Sequence, residues 1–138
     1  MRQLLFIVAG FLILIFISCK KNATTAYGTA IPLYSCNNNS SDRTVPYICF
    51  DSLINDSRCP EDAVCIWAGY VMIKTTFHEN GNTHSFRMIL PDLKNFGAVN
   101  DTTINGYRVV FKDLMPYPNT RKPAPLPVDI KAAIVITH

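Results

Sequence analysis

Beyond its first 25 residues the chain has no window of a dozen residues in which apolar side chains recur at helical spacing. A helical bundle or an alternating α/β domain is therefore excluded, and the period-two pattern that remains is that of an all-β domain. Charge of one sign is lacking too: 13 Lys and Arg stand against 10 Asp and Glu. The basic residues are scattered, with no cluster beyond Lys20-Lys21 and Arg121-Lys122 and no interleaved aromatics, so no nucleic acid is expected as a partner. Histidine is scarce (His78, His84 and His138), and none lies among the cysteines, no two of which stand as Cys-x2-Cys or Cys-x4-Cys. Neither a zinc site nor a thiol oxidoreductase motif is supported. No glycine-rich phosphate loop, nucleophile elbow or His-Glu metalloprotease run occurs, so no catalytic residue and no cofactor are assigned.

What is present begins with Met1-Arg2-Gln3, a positive start, followed by an apolar run from Leu4 to Ile17. That is the anatomy of a signal peptide. Its 14 residues span about 21 Å as a helix, short of the roughly 30 Å hydrocarbon core of a bilayer. The run closes on Phe16-Ile17-Ser18-Cys19, which resembles the bacterial lipobox. The resemblance implies cleavage before Cys19 and acylation of that cysteine, so that residues 1–18 are leader, 19–25 a lipidated tether and 26–138 one domain. The membrane is then a partner through Cys19, since several acyl chains at about 0.8 kcal/mol per methylene hold a protein durably. Lys20-Lys21-Asn22 carries no acidic retention or export signal, which in such lipoproteins implies an outer-membrane protein facing the periplasm.

Without the leader and its single charge, Arg2, the 120-residue mature chain carries a net charge of +2 and is the size of one domain. Cys36, Cys49, Cys59 and Cys65 remain, an even number in a chain bound for an oxidising compartment, so two disulfides are expected. Of three pairings, sequence proximity favours Cys36 with Cys49 and Cys59 with Cys65. The clearest secondary structure is a hairpin, Tyr70 to Glu79 and Asn82 to Leu90 about Asn80-Gly81, the dipeptide suited to a type I′ turn. This turn sets Phe77 opposite His84, Thr75 opposite Phe86, Ile73 opposite Met88 and Val71 opposite Leu90, one nearly apolar face that is core and an opposite face that is mixed and mostly wet. His78 and His84 fall on opposite faces. Further strands are expected at Val45 to Phe50, Tyr107 to Leu114 and Ile130 to Thr137, with an edge strand near Ala26 to Tyr34 interrupted by Gly28 and Pro32. Met115 to Asp129 holds five prolines and reads as a semi-rigid connection.

The densest run of unusual residues is Asp56-Ser57-Arg58-Cys59-Pro60 followed by Cys65-Ile66-Trp67-Ala68-Gly69. Asp56 is positioned to accept from turn amides or to pair with Arg58. Trp67, the only tryptophan, is expected as a buried structural residue over the Cys59–Cys65 bond, with Ala68 and Gly69 permitting close backbone approach. The run resembles a segment, D-S-R-C-P then C-I-W-A-G, of small secreted bacterial proteins and lipoproteins of uncharacterised function; the resemblance implies a small β-sandwich with a Cys59–Cys65 disulfide and brings no activity. The reading is a single antiparallel β-sandwich of immunoglobulin-like appearance, with six to seven strands and two disulfide staples. Its function is that of a lipid-anchored, non-catalytic interaction module of the cell envelope with an envelope protein as partner, and the alternative is a small-ligand binder or enzyme with a loop-assembled site.

Overall fold

A computed structural model describes residues 27–38 and 45–138; the segments expected as leader and lipidated tether, Cys19 included, lie outside them. Eight strands follow in order: β1 (Tyr27–Pro32), β2 (Ser35–Cys36), β3 (Tyr47–Asp56), β4 (Val71–Glu79), β5 (Asn82–Leu90), β6 (Asp101–Ile104), β7 (Tyr107–Met115) and β8 (Lys131–Thr137). They form two antiparallel four-stranded sheets, β1-β8-β7-β6 and β2-β3-β4-β5, packed as a sandwich. Among the described residues no helix is long and apolar enough to cross a membrane.

The core is the pair of inner faces that the period-two pattern selects. Ile31, Val109, Phe111, Ala132, Ile134 and Ile136 from one sheet meet Ile48, Phe50, Val71, Ile73, Phe77 and Met88 from the other, all buried. The β4–β5 register is the one the Asn80-Gly81 turn dictates, Phe77 opposite His84 through to Val71 opposite Leu90. Both turn residues have positive φ, 46° and 80°. β1 is an edge strand, as Gly28 and Pro32 require.

Three features depart from the expected pattern. The strands number eight because Asn105-Gly106 (φ 50° and 86°) makes a second Asn-Gly hairpin between β6 and β7, and because β2 adds a two-residue strand. β3 runs on to Asp56 through irregularities between Phe50 and Ser52 and between Leu53 and Asn55, and β7 carries one between Phe111 and Asp113. Each inserts an extra residue and shifts the inward alternation, so that Leu53 packs on the core and Leu114 is buried within it. On the outer face of the hairpin, expected to be wet, the cross-strand pair Met72 and Ile89 is buried. The connection after β5 returns along that edge, where Ile89 N–H donates to Val99 O at 3.1 Å and Val99 N–H to Arg87 O at 3.0 Å.

Both disulfides form with the expected pairing. Cys36–Cys49 joins directly opposed residues of β2 and β3, and Cys59–Cys65 closes the loop after β3. The sandwich therefore has two unlike ends. At the turn end lie the two Asn-Gly turns, linked by Asn105 Nδ2 donating to Glu79 Oε2 at 2.8 Å, together with the start of β1. The loop end gathers residues 57–70 and the proline-rich connection 116–130.

Candidate functional site

The loop end is built outward from Asp56. β3 and β4 continue past their last paired residues by two further backbone bonds, Ser57 N–H to Tyr70 O and Cys59 N–H to Ala68 O, both 2.9 Å. Gly69 lies between them with φ +71°, and a Cβ there would sit 1.7 Å from Ser57 O. Only glycine permits both the left-handed backbone and the approach, which is the close contact expected of Ala68-Gly69. The chain beyond this narrow neck, 60–67, is a tip closed by Cys59–Cys65.

Asp56 and Arg58 pair two residues apart. Arg58 Nε and Nη2 donate to the two carboxylate oxygens of Asp56, each at 2.8 Å, and Arg58 N–H donates to Oδ1 at 3.3 Å. The guanidinium, with its side chain only 7% exposed, also donates through Nη1 to Leu114 O at 2.7 Å and through Nη2 to Pro116 O at 3.2 Å, and lies 4.5 Å from the centre of the Tyr117 ring. A planar fork is what satisfies a carboxylate and two carbonyls at once. Arg58 thus fastens the end of β3 in one sheet to the end of β7 in the other, where the proline-rich connection begins.

A second clasp lies further out. Glu61 N–H donates to Pro118 O at 3.0 Å, and Asn119 Nδ2 donates to Glu61 Oε1 at 2.8 Å. The Asp62 carboxylate accepts from Thr120 N–H at 2.9 Å, Thr120 Oγ1 at 2.7 Å and Arg121 Nε at 3.2 Å. The Thr120 backbone N–H, with its hydroxyl and Arg121, holds the Asp62 carboxyl below the usual carboxylate range. Nothing in the sequence around Glu61-Asp62 marks this clasp, since no local pattern joins these carboxylates to partners some 58 residues away. Between the two clasps and the proline-rich connection lies an open cleft of about 850 Å³, lined by Leu53, Asp56, Arg58, Tyr117, Lys122 and Leu126 among others.

Trp67 is not buried. It is 62% exposed, and Val64 and Ile66 beside it are fully exposed. The reason lies in the neck: the ladder passes off the end of the sandwich at Gly69, no second sheet lies beyond it, and Arg58 occupies the inward position there. Cys65 is itself exposed, so the disulfide offers the indole no enclosed surface.

The histidines stay apart from this site. His78 stacks on Tyr47 at 4.5 Å between ring centres, His84 is exposed opposite Phe77, and His138 packs on Tyr107 at 4.5 Å. Of the carboxylates and amides around 92–101, Asp101 accepts from Arg108, which holds its carboxyl low, and Asn100 Nδ2 donates to Phe111 O. Among the described residues no three His, Cys, Asp or Glu side chains converge as metal ligands. Searches against protein-family models, curated proteins and solved structures found no match to the chain.

Proposed function

We propose that this chain is a cell-envelope protein held to a membrane by acylated Cys19, in the outer membrane facing the periplasm, and that its sandwich is a non-catalytic interaction module. One observation carries the reading. The charged groups of residues 56–67 are engaged, Arg58 with Asp56 and with the Leu114 and Pro116 carbonyls, Asp62 with Thr120 and Arg121, Glu61 with Asn119, while the side chains left exposed on the braced tip, Val64, Ile66 and Trp67, are apolar. A catalytic site needs an acid, base or nucleophile free to meet substrate; a binding surface needs rigid apolar side chains offered to a partner. The cleft supports the small-ligand alternative by its size, but Asp56 and Arg58, which line it, are directed at each other.

Two measurements test the proposal in full-length protein in bacterial cells. Cys19→Ser should move the protein from the membrane to the soluble fraction; retention at high salt, with residues 1–18 still attached, overturns the anchor. Short-range chemical crosslinking of the anchored protein should give a discrete heteromeric band, and only monomer across crosslinker lengths overturns the interaction module.

A further inference from the structure

Resting on that reading, we infer that the loop end is the docking face and that its partner is an envelope protein presenting an uncharged apolar pocket, into which Ile66 and Trp67 insert. The first observation is the distribution of exposed apolar side chains. Val64, Ile66 and Trp67 on the disulfide tip and Tyr117, Leu126 and Val128 on the facing connection are all exposed at this one end. Clustering of this kind on a folded domain marks an interaction surface, and tryptophan is the side chain most enriched where binding energy concentrates. The tip is preorganised by Cys59–Cys65 and by the two clasps to residues 114–121, so ordering it on binding costs little.

The second observation concerns where the chain leaves the domain, and it decides between occupants. The tether joins β1 at Tyr27, which pairs with Ile136 at the turn end, whereas the tip projects from the opposite end, beyond Val71. The nine residues of β4 alone separate these ends by about 30 Å at roughly 3.3 Å per residue. Residues 20–26 span at most about 25 Å fully extended. With Cys19 in the bilayer, the tether is too short to let the domain stand inverted with its tip in the headgroups. Charge agrees: segments 56–67 and 115–129 together hold three cations and four carboxylates, each cation paired with a carboxylate, Arg58 with Asp56, Arg121 with Asp62 and Lys122 with Glu61. That leaves no excess positive charge for an anionic membrane. A second copy meeting this one tip to tip is more constrained, since the two tethers would leave from opposite ends about 60 Å apart, by the same rise per residue, and would reach one bilayer only with both domains lying flat along it. A different protein, standing off the anchoring membrane, meets the tip without restricting how the domain lies, and is the occupant both observations favour.

The test uses the full-length lipidated chain in cells, with a photocrosslinking amino acid replacing Ile66 or, as the turn-end control, Thr83. The expected result is one discrete protein adduct from position 66 and none of that mass from position 83. That protein, once identified and purified, should bind the detergent-solubilised full chain at least tenfold more weakly when Trp67→Ala is introduced, with Trp67→Phe intermediate. Equal binding by Trp67→Ala, or an adduct from position 83 alone, overturns the assignment of the loop end while leaving the interaction module standing. Adducts of lipid place the tip in a bilayer, and adducts of the chain with itself make the partner a second copy; either overturns the inference. Absence of any protein adduct from both positions overturns the inference and, with a monomer-only result in chemical crosslinking, the module as well.

Discussion

Removing the Arg58 guanidinium should unlock the loop end and cost a large share of the domain's stability. In Arg58→Met the aliphatic stem is conserved in bulk, while the Asp56 carboxylate loses its bidentate partner and the Leu114 and Pro116 carbonyls lose their donors. Breaking a buried ion pair from one side costs about 3–5 kcal/mol. Here the Asp56 side chain keeps 20% of its surface exposed, so water relieves part of the penalty and the lower end of that range applies, about 3 kcal/mol. The two carbonyls add on the order of 1 kcal/mol between them. Against a total of roughly 5–15 kcal/mol for a domain of this size, such a loss should lower the urea midpoint strongly with little change in slope, and lower Tm by about 10–15 °C. Arg58→Lys keeps the charge without the fork and should lose on the order of 2 kcal/mol. In Asp56→Ala combined with Arg58→Met, the second change should cost far less than it does alone, because the stranded charge is gone. Unlocking has a local signature too: trypsin should cut after Arg121 faster in Arg58→Met than in the parent, under conditions where both are folded. A loss under about 1 kcal/mol, with unchanged cleavage at Arg121, would refute the view that Arg58 fastens the two sheets at this end.

Gly69→Ala forces a methyl into Ser57 O and a side chain into the left-handed region, so it should destabilise by well over 1 kcal/mol in urea unfolding; an unchanged midpoint would mean the neck is not as narrow as described. Trp67→Ala, by contrast, removes an exposed side chain and should leave the unfolding midpoint within about 0.5 kcal/mol of the parent, and native tryptophan emission should be red-shifted and readily quenched by iodide. Asp62 sets a pH dependence. Its folded pKa lies below its unfolded value, so its contribution is fully present above about pH 4, the ordinary carboxylate range, and is lost as pH falls through the lowered folded value. The stability difference between the parent and Asp62→Asn should therefore shrink as urea unfolding is repeated from pH 6 down towards pH 2.5; a difference that stays constant over that range contradicts the clasp.

Strand positions and inner faces were legible because both sheets are buried on one side, and burial writes a period of two into the sequence. The Asn80-Gly81 turn then fixed the β4–β5 register to the residue. The same rule, applied to Asn105-Gly106, would have found β6, whose Asp-Thr-Thr-Ile is too short and too polar to stand out by alternation alone. The inserted residues in β3 and β7 were not legible, because they break the alternation between Phe50 and Ser52, between Leu53 and Asn55 and between Phe111 and Asp113 without a glycine to announce them. Local chemistry was readable: at the loop end Asp56 with Arg58, Gly69 with its close neighbour and Cys59–Cys65, and near the other end Cys36–Cys49, are relations between residues close in sequence. The clasp of Asp62 on Thr120 joins segments that only the closed sandwich brings together.

The misreading of Trp67 follows from a sound rule applied beyond its range. A lone tryptophan beside a disulfide and ahead of an apolar strand is ordinarily core, because a side chain of that size gains most from burial. The rule assumes a second layer to bury it against. Here the ladder from β3 and β4 overshoots the other sheet, and the inward space at the overshoot is filled by Arg58, whose guanidinium must reach Leu114 O and Pro116 O if those carbonyls are to be satisfied. An arginine inside and a tryptophan outside is the reverse of what folding alone favours at either position. The arginine is explained by the bonds it makes across the sandwich. The tryptophan, 62% exposed, gains little from burial in the domain, and the proposed docking supplies the reason for its position, which is why the stability of Trp67→Ala and its binding are expected to part company.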